Sequence, residues 1–597
     1  MIKFLGLVVF GMIIAIASVA VAAQPLFVAY PPANHKTIAD RIFLIGTAPP
    51  TGQVSVNGNQ ISRTAAGHFA PTFPLQIGEN AFTLRYENQL VKIKVTRESN
   101  QPQVPAGLAF AKDSLTPKVD VASLPGEYIC FGAIAPANAT VLVKLAGATI
   151  PLKARSQVEL PDNKSVLLGE NSPIAKSGME QYQGCAKTPT NSALENSKKV
   201  DLGVPLFELT INNQTIGQPG TGKISILSPA ELEVAEVTAE AGVARTGAST
   251  DFSRMTPLPK GTRATIIGRE GEWIRLDYGA WIKASEVRIV KDAVPPRSII
   301  RSARSRQVSG WTEVLFPLEI PVPVTVQEGE KTFTLTLYNT TAQTDIIRLD
   351  DDPVISRLAW QQIAPLQVQY TFNLKSAQHW GYKLRYDGTT LVLSLKHPPV
   401  RSDKMPNSQK QPLSGIKILI DAGHGGPQDS GGIGPTGYRE KTVALIVSKL
   451  VRSELVNRGA NVVMTRVEDV DLDLPPRVEM IQKEEPAIAI SIHYNALPDN
   501  GDAINTKGVG AFWFHPQAHS LGMFLHNYLV AKLNRPSYGV FWNNLAMTRP
   551  TVAPSVLMEL GFMINPEEFE WIVNPTQQQK LAEAIAQGIV EWFASVE

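Results

Sequence analysis

Three short apolar runs constrain the C-terminal third of this chain more than any other feature: IKILID (Ile416–Asp421), AIAISI (Ala487–Ile492) and SVLMEL (Ser555–Leu560). Each is too short for a helix and too uniformly apolar for a strand with one wet face. Each therefore reads as a strand buried on both sides. Between them lies an amphipathic helix over Thr442–Arg458, with apolar residues at Val443, Ile446, Val447, Leu450, Val451 and Leu455 and with Gly459 just past its end. NVVMT and Gly510–Phe514 add strands, and Leu521–Leu533 adds a helix. Asn565-Pro566-Glu567-Glu568 has the cap, first-turn proline and glutamate of another helix start. Leu581, Ile585, Ile589 and Trp592 line the last helix. Buried strands alternating with helices predict an α/β domain over 415–597, its mostly parallel sheet flanked by helices.

The remainder is β-patterned, and 597 residues exceed what one core can organise. The first 23 residues read as a cleaved signal peptide: Lys3, an apolar run from Leu5 to Val19, then small residues around Ala22. A membrane anchor is the alternative, and no later segment is apolar enough to span, so no stable membrane span is expected after cleavage. Export makes Cys130 and Cys185 a disulfide candidate, with two separate buried thiols as the alternative. The 56 basic and 54 acidic residues nearly cancel, which gives no footprint for nucleic acid. Alternating strands and Asn57-Gly58 predict a sandwich over 24–98, similar to a bacterial immunoglobulin-like module. A second β-rich sandwich, with both cysteines, is expected over 108–230. GVARTG, LPKGT, ATIIGREGEWIRL and GAWIKASEV over 233–291 resemble an SH3-like barrel, in which Trp273 and Trp281 either fill the core or line a peptide groove. A fourth β-sandwich, 298–398, weakly resembles wall-binding modules, and 399–414 reads as a linker.

The ends of the apolar runs carry the chemistry. IKILID leads to His424 in a glycine-rich loop that returns to Glu440 at a helix start; AIAISI runs into His493; Glu559 lies within SVLMELGF. The loop has no GxxxxGKS/T, which argues against a phosphate site. Ligands bind outside the carboxyl ends of parallel strands, so these groups are expected to converge at one edge. Two imidazoles and a carboxylate suit a catalytic zinc that keeps one position open. Glu559 is then free to act as general base, since a carboxylate in an apolar strand is costly unless used or paired. His515 and His519 have HxxxH spacing, but Pro516 and the missing glutamate of HExxH argue for a polar helix start. His526 reads as a solvated or half-buried helix residue.

DAGHGG, GYREK, SIHYN and PSVLMELGF resemble, in order and spacing, the zinc-dependent N-acetylmuramoyl-L-alanine amidases of the bacterial cell wall. The resemblance implies that His424, Glu440 and His493 ligate one zinc ion and that Glu559 is catalytic. It also implies hydrolysis of the amide joining the muramoyl lactyl group to L-alanine of peptidoglycan. Arg466 and Arg477 fit the family pattern with structural roles. Tyr494 departs from the small or acidic residue commoner there and is expected to shape the substrate rim. Arg549 is a candidate contact for a substrate carboxylate. Only 15 residues separate Tyr494 from Gly510, too few for the zinc-blocking helix of some division-associated members, so control falls to accessibility or to an unidentified activator or targeting protein. Two other functions are open: a zinc endo- or carboxypeptidase of the stem peptide, and a non-catalytic wall-binding protein. The expected location is the periplasm, with secretion to the cell wall as the alternative.

Overall fold

The computed structural model describes residues 25–99, 107–155, 158–169, 171–175, 180–190, 199–290, 293–400 and 411–596. The expected signal peptide and residues 401–410 of the expected linker lie outside them. The described chain is mostly β, and its α-helices all fall between Glu440 and Ser595.

The C-terminal unit comprises β1 (Lys417–Ala422), α1 (Glu440–Val456), β2 (Asn461–Met464), α2 (Leu474–Glu484), β3 (Ile488–Asn495), β4 (Val509–Trp513), α3 (Pro516–Leu533), β5 (Ser537–Trp542), β6 (Ser555–Phe562), α4 (Pro566–Ile572) and α5 (Pro575–Ser595). Its six-stranded sheet has the order β2-β1-β3-β6-β4-β5. Strands β2, β1, β3 and β6 are mutually parallel; β4 runs antiparallel to β6, and β5 is parallel to β4. The apolar runs sit where their composition requires: Ile418, Leu419, Ile420, Ile488, Ile490, Ile492 and Val556 are all essentially inaccessible. Val443, Val447, Val451 and Leu455 of α1 join the same core, each contributing about 1.5–3 kcal/mol by burial. Ile446, counted in the predicted stripe, is instead 37% exposed, because its turn position faces away from the sheet. Asn565 caps α4 by accepting from the amides of Glu567 and Glu568.

Strand β5 is absent from the sequence reading. SYGVFW follows Pro536 and contains Gly539, so its composition signals a turn; pairing with β4 makes it a strand. Strand β3 also runs past its predicted end, placing His493 within the strand.

Ahead of this unit, residues 27–97 form small sheets around one core. This part packs on the β3–β4 connection: His35 is 2.9 Å from the Asp499 carboxylate, Tyr30 donates to the same group, and Phe43 and Ile45 cluster with Ala503 and Phe562. Residues 128–219 form a six-stranded sheet in which Cys130 and Cys185 face each other on adjacent strands and are joined by a disulfide. Strands Val121–Ser123, Lys199–Gly203 and Ile224–Leu227 instead continue the sheet of the 234–290 region through Arg263–Glu270. The expected boundary near 230 therefore falls inside a shared sheet, a pairing of backbone edges that composition does not encode. Trp273 is buried, with the guanidinium of Arg245 6.0 Å from its ring centroid, and Trp281 is half-buried. Residues 298–396 form two sheets of five and four strands around a common core. They meet the C-terminal unit through the Trp311 indole, which donates to Glu485 at 3.0 Å, and through Trp380 stacked on Phe593. No helix among the described residues is long and apolar enough to cross a membrane.

Candidate metal centre

The site is assembled at the carboxyl ends of β1 and β3, where two parallel strands deliver polar residues out of an apolar core. Asp421, the last charge of IKILID, is buried and accepts from Thr465 Oγ1 at 2.6 Å and Arg477 Nη1 at 2.8 Å, and also from Ser491. Burial works to raise its pKa, but Arg477, His493 and these hydrogen bonds outweigh it and hold the carboxylate ionised. Arg477 also donates to the carbonyls of Ala422 and His424, at 2.7 Å each, and Arg466 donates to those of Ala422 and Gly423 at 2.9 and 2.8 Å. Two buried guanidiniums thus fix the backbone that carries His424.

That backbone is tightly constrained. His424 has a φ of 56°, in the left-handed region that a side-chain-bearing residue adopts only when its surroundings demand it. Its neighbour Gly423 lies against the His493 ring: a Cβ there would be 2.4 Å from Cε1. Gly431, with a φ of 65°, approaches the other side, where a Cβ would be 2.5 Å from Glu440 Oε2. The glycines let one loop run over one ligand and return beneath another.

Glu440, the first residue of α1, points inward rather than to solvent. Its Oε2 accepts from the Gly432 amide at 2.7 Å, and its Oε1 accepts from the Tyr494 amide at 3.0 Å. The same Oε1 lies 3.2 Å from His424 Nε2 and 3.1 Å from His493 Nδ1. One ligand atom from each of these three residues falls within 4.8 Å of the others. His424 Nδ1 is 2.6 Å from Asp429 Oδ1, which orients the ring and leaves Nε2 for the centre. Burial raises the Glu440 pKa, but the two histidines more than reverse this and hold it well below the usual carboxylate range. Burial lowers that of His424, yet Glu440 and Asp429 bring it up to about 9; His493 is likewise raised by Glu440 against its burial. One carboxylate draws both imidazoles toward their protonated forms, so a bound dication would compete with protons for these nitrogens. The donor set of two imidazoles and one carboxylate suits zinc.

Glu559 pairs in register with His493 across β3 and β6, so both side chains leave the same face. Its Oε2 is buried and has no hydrogen-bond partner. Burial pushes its pKa up to about 8, with Glu440 adding to the rise and His493 opposing it.

Comparison with known proteins gives the family. A family model described as N-acetylmuramoyl-L-alanine amidase matches residues 418–591. The germination-specific N-acetylmuramoyl-L-alanine amidase of Bacillus subtilis (strain 168) is 33% identical over 199 residues, covering 30% of this chain and 81% of that relative. The chain belongs to the N-acetylmuramoyl-L-alanine amidase family. The "Probable cell wall amidase LytH" of Staphylococcus epidermidis is 32% identical over 185 residues, and the match spans 31% of this chain and 60% of that relative. Among solved structures, the N-acetylmuramoyl-L-alanine amidase AmiC2 of Nostoc punctiforme is 30% identical, covers 30% of this chain and 99% of its own, and superposes with a TM-score of 0.29.

Not every expected site residue of this amidase reaches the centre. Tyr494 does not shape the substrate rim: alternation along β3 turns its ring to the opposite face from His493, where it is 1% exposed with its hydroxyl buried and unpaired. Its contribution to the site is its backbone amide, given to Glu440. Arg549 donates to Asn544 Oδ1 at 2.6 Å and to the Asn544 carbonyl at 2.9 Å, and lines a separate cleft. His515 caps α3, and its Nε2 lies 2.8 Å from the Arg549 carbonyl. His526, expected at least half solvated, is buried with Nε2 2.9 Å from Ser537 Oγ. The sequence reading misses the roles of Asp421, Asp429 and Ser491. The signal for Asp421 was available: a carboxylate closing an apolar strand needs a buried cation, and Arg477 supplies it.

Proposed function

We propose that His424, Glu440 and His493 hold one zinc ion and that Glu559 serves as general base and acid in amide hydrolysis. The protein is an N-acetylmuramoyl-L-alanine amidase acting on peptidoglycan, and the bond cut joins the lactyl group of N-acetylmuramic acid to L-alanine. The observation that carries this reading is the buried, unpartnered Oε2 of Glu559, in register with His493 of a clustered His424–Glu440–His493 set. When bound, zinc supplies a Lewis acid that polarises the carbonyl and acidifies the attacking water.

The chain's own residues do the rest. Asp429 and the Gly432 and Tyr494 amides fix the ligand orientations. Glu559 takes a proton from the attacking water and returns it to the departing nitrogen of L-alanine, leaving a free stem peptide and a glycan strand without it. With a pKa near 8 in the metal-free protein, Glu559 would hold its proton at neutral pH. The ionised form that a base requires would be favoured by a bound dication.

In the organisation we propose, an α/β catalytic domain over 415–597 follows β modules at 24–98 and 298–398 and, between them, two β units joined through a shared sheet, which place it on the wall. Export to the periplasm, or secretion to the cell wall, accords with that substrate, and an activator or targeting protein would direct it. Digestion of purified sacculi tests the reading. New amino ends should appear on the muramoyl-linked L-alanine, should vanish with a chelator and return with zinc, and should fall ~10²–10⁴-fold for Glu559→Gln. New amino ends elsewhere in the stem would indicate a peptidase instead.

A further inference from the structure

Asp499 stands on the connection from β3 to β4, shortly after His493, and faces the first β module rather than solvent. Tyr30 donates to it, His35 Nε2 is 2.9 Å from its Oδ2, and Thr37 is hydrogen-bonded to it as well. Burial works to raise its pKa, but His35, Thr37 and Tyr30 outweigh this and keep it ionised. The connection has little core of its own: within 496–508 only Gly501, Ala503 and Gly508 are buried. Ala503 is buried against Phe43, Ile45 and Ala70 of the module, together with Phe562 and Ile564. A loop with so few contacts of its own is held by what packs on it. The module covers the loop between His424 and Glu440 too. Phe27 lies against Gly437, where a Cβ would be 3.4 Å from its ring. His68 meets Phe569 of α4 edge-on with centroids 5.4 Å apart, and the same Phe569 ring closes on Gly434, where a Cβ would be 2.2 Å away.

Both covered segments reach the centre. The end of β3 carries His493 and the Tyr494 amide that Glu440 Oε1 accepts, and the connection begins directly after Asn495. Gly432, whose amide Glu440 Oε2 accepts at 2.7 Å, is wedged between that carboxylate, Ala496 and Met563: a Cβ on it would be 3.4 Å from Glu440 Oε2 and 3.5 Å from the Cβ of each of the other two. Ala496 is the first residue of the connection that Asp499 anchors. A displaced connection therefore disturbs the donors that orient Glu440, and supports of this kind set how well a metal is held.

We infer that Asp499 is a positioning residue of the amidase: by docking the 27–97 module onto the β3–β4 connection it fixes the strand end and the loop that aim His493 and Glu440, so this module serves the metal centre as well as the wall. The inference rests on the zinc-amidase reading for what the positioned residues do. The tests use the full-length protein. Asp499→Ala should speed amide exchange over 496–508, which reports undocking, and over 423–439, which reports the ligand loop. Zinc affinity in chelator competition should fall at least about ten-fold. At limiting zinc, kcat on a soluble muropeptide should fall in parallel with KM unchanged, which loss of a wall tether alone would not produce. Asp499→Asn keeps an oxygen for Tyr30 and should restore most of the affinity. Phe43→Asp puts the same question from the module side: Phe43 belongs to the interface cluster and not to the module's own core, so the module should stay folded while its docking fails. It should reproduce the loss of zinc affinity and add little to Asp499→Ala when the two are combined; an effect confined to the connection would not be copied in this way. Undocking that leaves zinc affinity and 423–439 exchange as in wild type overturns the proposal. So does a module that stays docked in both variants. A wild-type protein that binds no zinc or cuts no muropeptide, while 423–439 exchange still rises on undocking, refutes the amidase reading and leaves the positioning role standing.

Discussion

Gly423→Ala adds one methyl group in a place where the His493 ring leaves no room for it. The added Cβ would be 2.4 Å from Cε1 and 2.6 Å from both ring nitrogens, more than an ångström inside ordinary contact. The ring cannot slide away freely, because His493 sits in the middle strands of the sheet and Glu440 faces its Nδ1. Nor can the loop lift, because Arg466 and Arg477 hold the carbonyls of Ala422, Gly423 and His424. Overpacking of this kind costs about 1–3 kcal/mol. Displacing a ligand ring from its aligned position lowers metal affinity by roughly 10–100-fold, on the scale known for disturbed supports of metal ligands. Zinc affinity measured by chelator competition should fall by that factor, with amidase activity at limiting zinc falling in parallel and the melting temperature dropping by a few degrees. Gly522→Ala is the control: it lies in α3, its added Cβ would find its nearest neighbour at 3.6 Å, and the helix should gain up to about 1 kcal/mol. If Gly423→Ala binds zinc as wild type does, close approach of this loop to His493 is not what the glycine is for.

Asp421→Ala should be among the most destabilising single changes in the C-terminal unit, because it strands the buried guanidinium of Arg477; about 3–5 kcal/mol lost in denaturant unfolding is expected, and a loss under 1 kcal/mol would contradict the geometry. Zinc binding should release protons and strengthen as pH rises toward about 9, levelling above it, because ionised His424 must give up its proton; calorimetry in buffers of different ionisation enthalpy reads this directly. In the metal-free protein the same group works the other way. With a folded pKa raised from 6.5 to about 9, His424 contributes stability that is fully present below pH 6.5 and is lost as pH climbs through 9. Replacing both Cys130 and Cys185 by Ser opens a loop of 55 residues and should cost the surrounding β unit roughly 4 kcal/mol by chain entropy, while the activity of the folded protein on soluble substrate stays unchanged.

The residues we propose as ligands were legible because their chemistry interrupts a strong pattern. His493 and Glu559 stand in runs that are otherwise wholly apolar, and a charged or ionisable side chain there requires a purpose. What surrounds the ligands was less legible. Tyr494, next to a ligand in sequence, invited a role at the substrate, yet strand alternation sends its ring into the core. Arg549 invited a role as a contact for a substrate carboxylate, yet residues 543–549 place it in a cleft with arginines some 300 positions earlier. Strand β5 was missed because proline and glycine speak for a turn until a neighbouring strand supplies hydrogen bonds.

The sequence by itself determined that the last 180 or so residues build buried strands delivering two imidazoles and two carboxylates, since periodicity and burial of charge are local properties of the chain. Only the tertiary structure decided how those groups are held. The Asp421–Arg477 pair, the passage of Gly423 over the His493 ring, and the sheet shared across residue 230 depend on segments tens to hundreds of residues apart. The arginine cleft shows the same dependence most fully. Arg245 and Arg549 carry no mark of each other in sequence, and their mutual repulsion exists only because the β modules fold back against the catalytic sheet.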